Sequence, residues 1–133
     1  MFDELRKYKK NDHFFFTKGV KLSDVSKNVP ELPGVYYIIR LAKGNVELVY
    51  ISKSGAPFQV GNAKSQSLRN VINSKQEFLD DKLSEEKNID ALDIYWFVTM
   101  DASHNDLPAY VEGLILQRIF DVQGKLPVWN ETD

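Results

Sequence analysis

The chain contains no cysteine, and it has only two histidines and two methionines in 133 residues. Without cysteine it has neither a disulfide nor a thiolate metal centre. His13 and His104 lack ligand-like spacing, so neither is assigned a metal role. Long apolar runs are missing as well: no segment approaches the ~20 residues that a membrane-spanning helix requires. The first residues, Met1-Phe2-Asp3-Glu4-Leu5-Arg6-Lys7, lack the apolar core of a signal peptide. A soluble cytoplasmic protein without a membrane partner is the expectation. There is no internal repeat and no low-complexity tract.

A strong charge of one sign is absent too. The net charge of −2 excludes a generic polycationic coat for nucleic acid. The distribution is more telling. Residues 1–75 hold thirteen Lys and Arg against six Asp and Glu, whereas residues 76–133 hold four against thirteen. A basic half suits phosphates, and an acidic half faces away or holds a cation. Chance partition between two solvated faces gives the same counts.

What remains is ordinary globular composition. A hydrophobic fraction of 43% in a chain of this length buries a core without staples and fits one domain. We read a single domain over 1–133, with 1–30 as an N-terminal extension and 33–130 as the core. Residues 1–12 read as a short, frayed amphipathic helix. His13-Phe14-Phe15-Phe16-Thr17 reads as a strand or core anchor, and Ser23 as the cap of a helical turn.

The stretch Pro33–Gly55 organises the rest. Gly34-Val35-Tyr36-Tyr37-Ile38-Ile39-Arg40-Leu41 and Val46-Glu47-Leu48-Val49-Tyr50-Ile51-Ser52-Lys53 are two β-rich runs. They flank a turn centred on Gly44-Asn45, which predicts a hairpin with a loop longer than two residues. Pairing the runs makes Tyr36 and Tyr50 neighbours on the sheet. Gly34 marks a close approach of backbone. An irregular loop follows, then a helix from Ser65 or Ser67 and a second over about Lys75–Lys87. Leu92–Met100 is the strongest strand pattern and is expected to be central. The last helix is expected to start at Leu107-Pro108 with Asp106 as its cap and to stop at Gly124. The fold class is therefore α/β of the α+β type: a small mixed or antiparallel sheet with a hairpin, flanked by helices.

Glu112 is the odd residue of that last helix. Val111, Leu114, Ile115, Ile119 and Val122 mark the expected buried stripe, and Glu112 lies at its margin. A carboxylate there needs a partner, a cation or water. A glutamate snorkelling at the rim is the plainer reading.

The hairpin and this helix together resemble the GIY-YIG nuclease superfamily. Gly34-Val35-Tyr36 matches the first motif, and Tyr50-Ile51-Ser52 followed by Lys53 matches the second. Leu107-Pro108-Ala109-Tyr110-Val111-Glu112-Gly113-Leu114-Ile115-Leu116-Gln117, then Gly124-Lys125-Leu126-Pro127-Val128-Trp129-Asn130, resembles the C-terminal signature of small stand-alone members. The resemblance runs from about Pro33 to Asn130. It implies a phosphodiesterase acting on DNA with Mg²⁺ or Mn²⁺. It also implies that Glu112 holds the metal, Tyr36 and Tyr50 activate and position the attacking water, Lys53 approaches phosphate, and Asn130 supports the site. One carboxylate suffices for such a hard cation alongside water and substrate phosphate.

Two positions depart from the pattern. Ser52 stands where the family has glycine. The arginine expected on the helix after the hairpin falls at Val71, while Arg69 lies two residues earlier, about 200° away around a helix. Such an arginine stabilises charge on the phosphoryl group in the transition state and is worth roughly 2–4 kcal/mol of barrier. Lys53 and Lys64 are the cations available to replace it as point charges, and Arg69 the other candidate for binding substrate. Two functions follow as expectations: a weakened metal-dependent DNA endonuclease, or a catalytically inactive module of the same fold that binds nucleic acid or protein. A homodimer or a protein partner would supply any sequence specificity.

Overall fold

Ala91–Val98 carries the pattern Leu-Asp-Ile-Tyr-Trp-Phe-Val, apolar on both faces, and it lies inside the sheet. The computed structural model describes residues 2–55 and 66–130. In chain order it contains β1 (Asn11–Phe16), α1 (Leu22–Val25), β2 (Gly34–Ala42), β3 (Asn45–Lys53), α2 (Leu68–Asn73), α3 (Gln76–Glu85), β4 (Ala91–Val98) and α4 (Pro108–Gln123). The four strands form one sheet in the order β1-β4-β2-β3, and every pairing is antiparallel. The fold is α+β, an antiparallel sheet flanked by helices.

The N-terminal segment departs from expectation. Its helix shrinks to a single 3₁₀ turn, Asp3–Leu5, because the chain is already pairing with β4 by Lys10 and Asn11. Leu5 and Tyr8 are nonetheless buried, so the segment packs rather than frays. Ser23 caps nothing: α1 is entered from Lys21 without a side-chain cap.

The hairpin turn is also tighter than expected. It consists of Lys43 and Gly44, with φ of 48° and 84°. Two consecutive positive φ angles are what a twisted two-residue hairpin demands. Lys43 is held there by its N–H, which donates to Asp90 Oδ2 at 2.9 Å. The extra residue sits in a bulge instead, where Val49 has no opposite number between the Ile38–Tyr50 and Ile39–Leu48 pairs.

Strand alternation divides the core into two clusters. Tyr36, Ile38, Tyr50, Ile94, Trp96 and Val98 face α1, α2, α3 and Trp129. Val35, Tyr37, Ile39 and Ile51 face α4 and the N-terminal segment. Gly34 lets the sheet close beneath α2. A Cβ there would lie 2.0 Å from the carbonyl oxygen of Phe97 and 2.8 Å from Leu68 Cδ1. Gly34 and Ser54 then exchange two hydrogen bonds: Gly34 N–H donates to Ser54 Oγ at 2.8 Å, and Ser54 N–H to Gly34 O at 2.9 Å. This clasp joins the start of β2 to the end of β3.

Candidate functional site

Tyr36 and Tyr50 lie side by side as the hairpin pattern requires, with ring centroids 6.2 Å apart. Both rings are fully buried on the face covered by α2 and α3. Tyr50 packs against Phe78 at 5.3 Å, and Lys75 Nζ lies 5.3 Å from its ring centroid. Phe78 meets Trp129 edge-on at 6.2 Å, and Lys82 Nζ approaches both rings. The phenols thus belong to an aromatic layer with ammonium groups along it.

Glu112 and Lys53 occupy the opposite face. α4 packs Val111, Ile115 and Ile119 onto β2 and β3, and Glu112 is half-buried on its flank. Burial pushes the Glu112 carboxyl above the usual carboxylate range, and nearby Lys53 partly offsets this. The rim position read from the helix pattern therefore becomes a desolvated carboxylate beside one cation. Two stripe positions differ from the sequence pattern. Leu114 is 40% and Val122 80% exposed, because α4 packs onto the sheet only through the narrow seam of Val111, Ile115 and Ile119. Asp106 does not cap α4; Leu107 takes that position without a side-chain bond. Asp106 instead accepts from Tyr8 Oη at 2.6 Å and pairs with Lys7 at 3.1 Å. These two partners, the phenol first, hold its carboxyl below the usual range.

The structure accordingly brings Tyr36 to Tyr50 and Lys53 to Glu112, but the two pairs lie on opposite faces of the sheet. β3 links them, carrying Tyr50 and Lys53 three residues apart. Asn130 reinforces that strand. Its Oδ1 accepts from Ile51 N at 3.0 Å, and its Nδ2 donates to Ile51 O at 2.9 Å. The amide thus replaces a fifth strand at the β3 edge, beside Trp129, whose N–H donates to Val49 O at 2.9 Å. Trp129 Nε1 donates to Glu86 Oε2 at 3.0 Å, and Arg40 pairs with both Glu86 and Glu47.

The remaining cations are placed by local structure. Arg69 Nε donates to Val29 O at 2.7 Å, and Arg69 Nη1 lies 3.8 Å from Glu31, so this guanidinium ties α2 to the segment before β2. Val71, the position where the resemblance expects arginine, is packed against the α2–α3 cluster. Ser67 caps α2 by accepting from Asn70 N at 3.4 Å. Lys64 lies outside the described residues.

Sequence reading missed two features. One is the Ser54 clasp. The other is a histidine–aspartate pair on β1 and β4, His13 and Asp93, 2.7 Å apart. The signal for the latter was the alternation of Asp93, Tyr95 and Phe97 opposite His13 and Phe15. Among the described residues no three His, Asp or Glu side chains gather into a metal cage. Glu112 fits a hard ion bound by one carboxylate with water and phosphate completing the shell, and does not fit an all-protein site. No helix among the described residues is long and apolar enough to cross a membrane. No protein-family model, curated protein or solved structure matches the chain.

Proposed function

We propose that this chain is a degenerate GIY-YIG-type protein acting on DNA in the cytoplasm, a metal-dependent endonuclease weakened by loss of the motif arginine. The observation that carries the reading is Glu112. A half-buried carboxylate beside Lys53 is poorly solvated as it stands, and a hard cation with substrate phosphate compensates it. Supporting it are the order hairpin, helices, strand, helix, the paired phenols, and Asn130 on β3. When bound, Mg²⁺ or Mn²⁺ supplies polarisation of the phosphoryl oxygen.

The chain's own groups do the rest. Glu112 is the metal-holding carboxylate. Lys53, beside it, attracts the phosphate. Tyr36 and Tyr50 are the phenols that the resemblance assigns to proton transfer, and both are buried on the face of the sheet opposite Glu112. Asn130 is a positioning residue that fixes the β3 edge. Val71 contributes no charge, and Arg69 is turned to Val29 and Glu31. This last observation favours a second reading, a non-catalytic module of the same descent that binds nucleic acid or a protein partner.

Cleavage of plasmid and branched DNA in Mg²⁺ and Mn²⁺ separates the two. Under the first reading wild type nicks DNA slowly, Glu112→Ala does not, and Val71→Arg is faster by on the order of a hundredfold. Inert wild type with an active Val71→Arg variant makes the protein a nuclease disarmed at one position. Inactivity of both, with the fold intact, overturns catalysis.

A further inference from the structure

α4 packs onto the sheet through Val111, Ile115 and Ile119, yet its solvent side is apolar as well. Tyr110 is 60% and Phe120 50% exposed, and Leu107 and Leu114 are exposed with them. Ala109, Gly113, Gln117 and Asp121 fill the rest of that side, and Asp121 is its one charge. The outer face of a surface helix normally carries several charges, whereas a helix that is apolar all round is normally covered all round.

Two further features of α4 serve no purpose within one chain. Gly113 sits mid-helix, where glycine is unfavourable relative to alanine. A Cβ added there would meet nothing within 4 Å, so the packing of this chain does not require the glycine. A bare helix surface is what the close approach of another helix requires. The ends of α4 are also uncompensated. Leu107 enters the helix without a side-chain cap, and there is no acid in the first turn and no base in the last. Asp121 stands instead in the last turn, accepting from Gln117 Nε2 at 2.8 Å. A carboxylate is favoured at the opposite end of the helix dipole.

Charge and shape together select the occupant. The one basic side chain of the helix, Arg118, is turned to Glu4 at 3.0 Å. The face therefore offers no cation to a phosphate or to an anionic bilayer. Its side chains fall into two rows at helical spacing, Ala109-Gly113-Phe120 and Tyr110-Leu114-Asp121. Against an antiparallel copy of α4, each row meets itself reversed. Phe120 then lies over the small Ala109 and Gly113 of the second copy. Asp121 reaches the uncapped first turn of the second copy, beside its Tyr110. One two-fold operation thus covers the apolar face, uses the bare glycine and places each carboxylate at a helix N-terminus.

We infer that the outer face of α4 is a homodimer interface, in which two copies of this chain pack their α4 helices antiparallel about a point between Gly113 and Gln117. A single helix pair is a small interface, so the expected equilibrium is micromolar rather than obligate. Glu112 is half-buried on the flank of α4 and not on this face, and the inference does not rest on the endonuclease reading.

The test is sedimentation velocity of the full chain, from low micromolar to submillimolar concentration, without DNA or divalent metal. Wild type is expected to pass from monomer to dimer. Gly113→Leu and Phe120→Ser should each weaken self-association about tenfold or more. Both sites are exposed in the single chain, so melting of the dilute variants should show an intact fold. Because the chain has no cysteine, single cysteines report the orientation. Gln117→Cys should be joined between copies by a short bis-maleimide. Asp121→Cys, a loss of charge that should weaken association only roughly threefold, should not be joined where it sediments as a dimer. In the antiparallel pair the two copies of that position are about 20 Å apart along the helices, whereas a parallel pair brings both positions together. Wild type that stays monomeric throughout overturns the inference, as does undiminished association of Gly113→Leu and Phe120→Ser, or equal cross-linking at the two positions. None of these readouts involves cleavage, so failure here leaves the endonuclease reading standing, and failure of cleavage leaves this one standing.

Discussion

On one face of the sheet, three helices and Trp129 close over Phe16, Ile38, Ile94 and Val98. On the other, α4 and the N-terminal segment pack on the sheet, and the rings of His13, Phe15 and Tyr95 stay partly open. The first face has its tyrosines, Tyr36 and Tyr50, wholly buried. The second has a half-buried glutamate, an edge histidine bound to aspartate, and a ladder of aromatic rings. Apolar closure makes the first face a scaffold. The second retains polar groups near solvent, Glu112 and His13 among them.

The contrast breaks most completely at Gly34, where the faces share one backbone. Gly34→Ala would drive a methyl group into the Phe97 carbonyl, and the sheet would have to separate there. We expect a loss on the order of 4 kcal/mol or failure to fold, read by denaturant titration. An ordinary melting curve for this variant would refute the close approach.

Next in size are paired truncations of the two cores. Ile72→Ala beneath α2 and Ile115→Ala beneath α4 each remove a fully buried side chain. Each should cost about 3 kcal/mol, since cavity and transfer contributions are alike. A much smaller cost for Ile115 would mean that α4 is a loosely docked cover rather than half of the core.

Asn130→Ala removes both hydrogen bonds to Ile51 at the β3 edge. A loss of about 1–2 kcal/mol is expected, with faster amide exchange at Ile51. Unchanged exchange there would free Asn130 for a role at the site rather than at the strand.

The smallest effect is a pH dependence. Burial raises the folded-state pKa of Glu112 above its unfolded value of about 4.5. The native state therefore binds this proton more tightly than the unfolded chain does. That contribution is present at low pH and is lost as pH rises from about 4.5 through the raised folded value. Asp106, whose pKa is lowered, acts in the opposite direction and is cancelled by comparing variant with wild type. Glu112→Gln should thus gain stability relative to wild type as pH rises. A flat difference would place Glu112 in water.

Periodicity carried much of the architecture. The hairpin, the central β4, both middle helices and the last helix from Pro108 to Gly124 were readable because their apolar periods and end signals agree. The tight Lys43-Gly44 turn was not. A lysine at positive φ depends on Asp90, which is remote in sequence. The capping role given to Asp106 failed for a similar reason: Tyr8, 98 positions away, takes the carboxylate. The stripe on α4 was read too wide because a helix pattern does not say how narrow a seam of the helix the sheet takes up.

The candidate site divides along the same line. That Tyr36 and Tyr50 are neighbours follows from local pairing. That Glu112 meets Lys53 on the opposite face depends on which side of the sheet α4 crosses. The alternation in β1 and β4 placed His13 and Asp93 on single faces, but not on the same one, because register between strands remote in sequence is set by packing. The amino-acid order by itself determined the elements, their amphipathic faces and the residue types able to do chemistry, since these follow from bonds and periods within a few residues. Tertiary structure alone decided which face each group shares, which cations are already engaged and which aromatic rings remain open to solvent. Those depend on burial and contact between segments far apart in the chain.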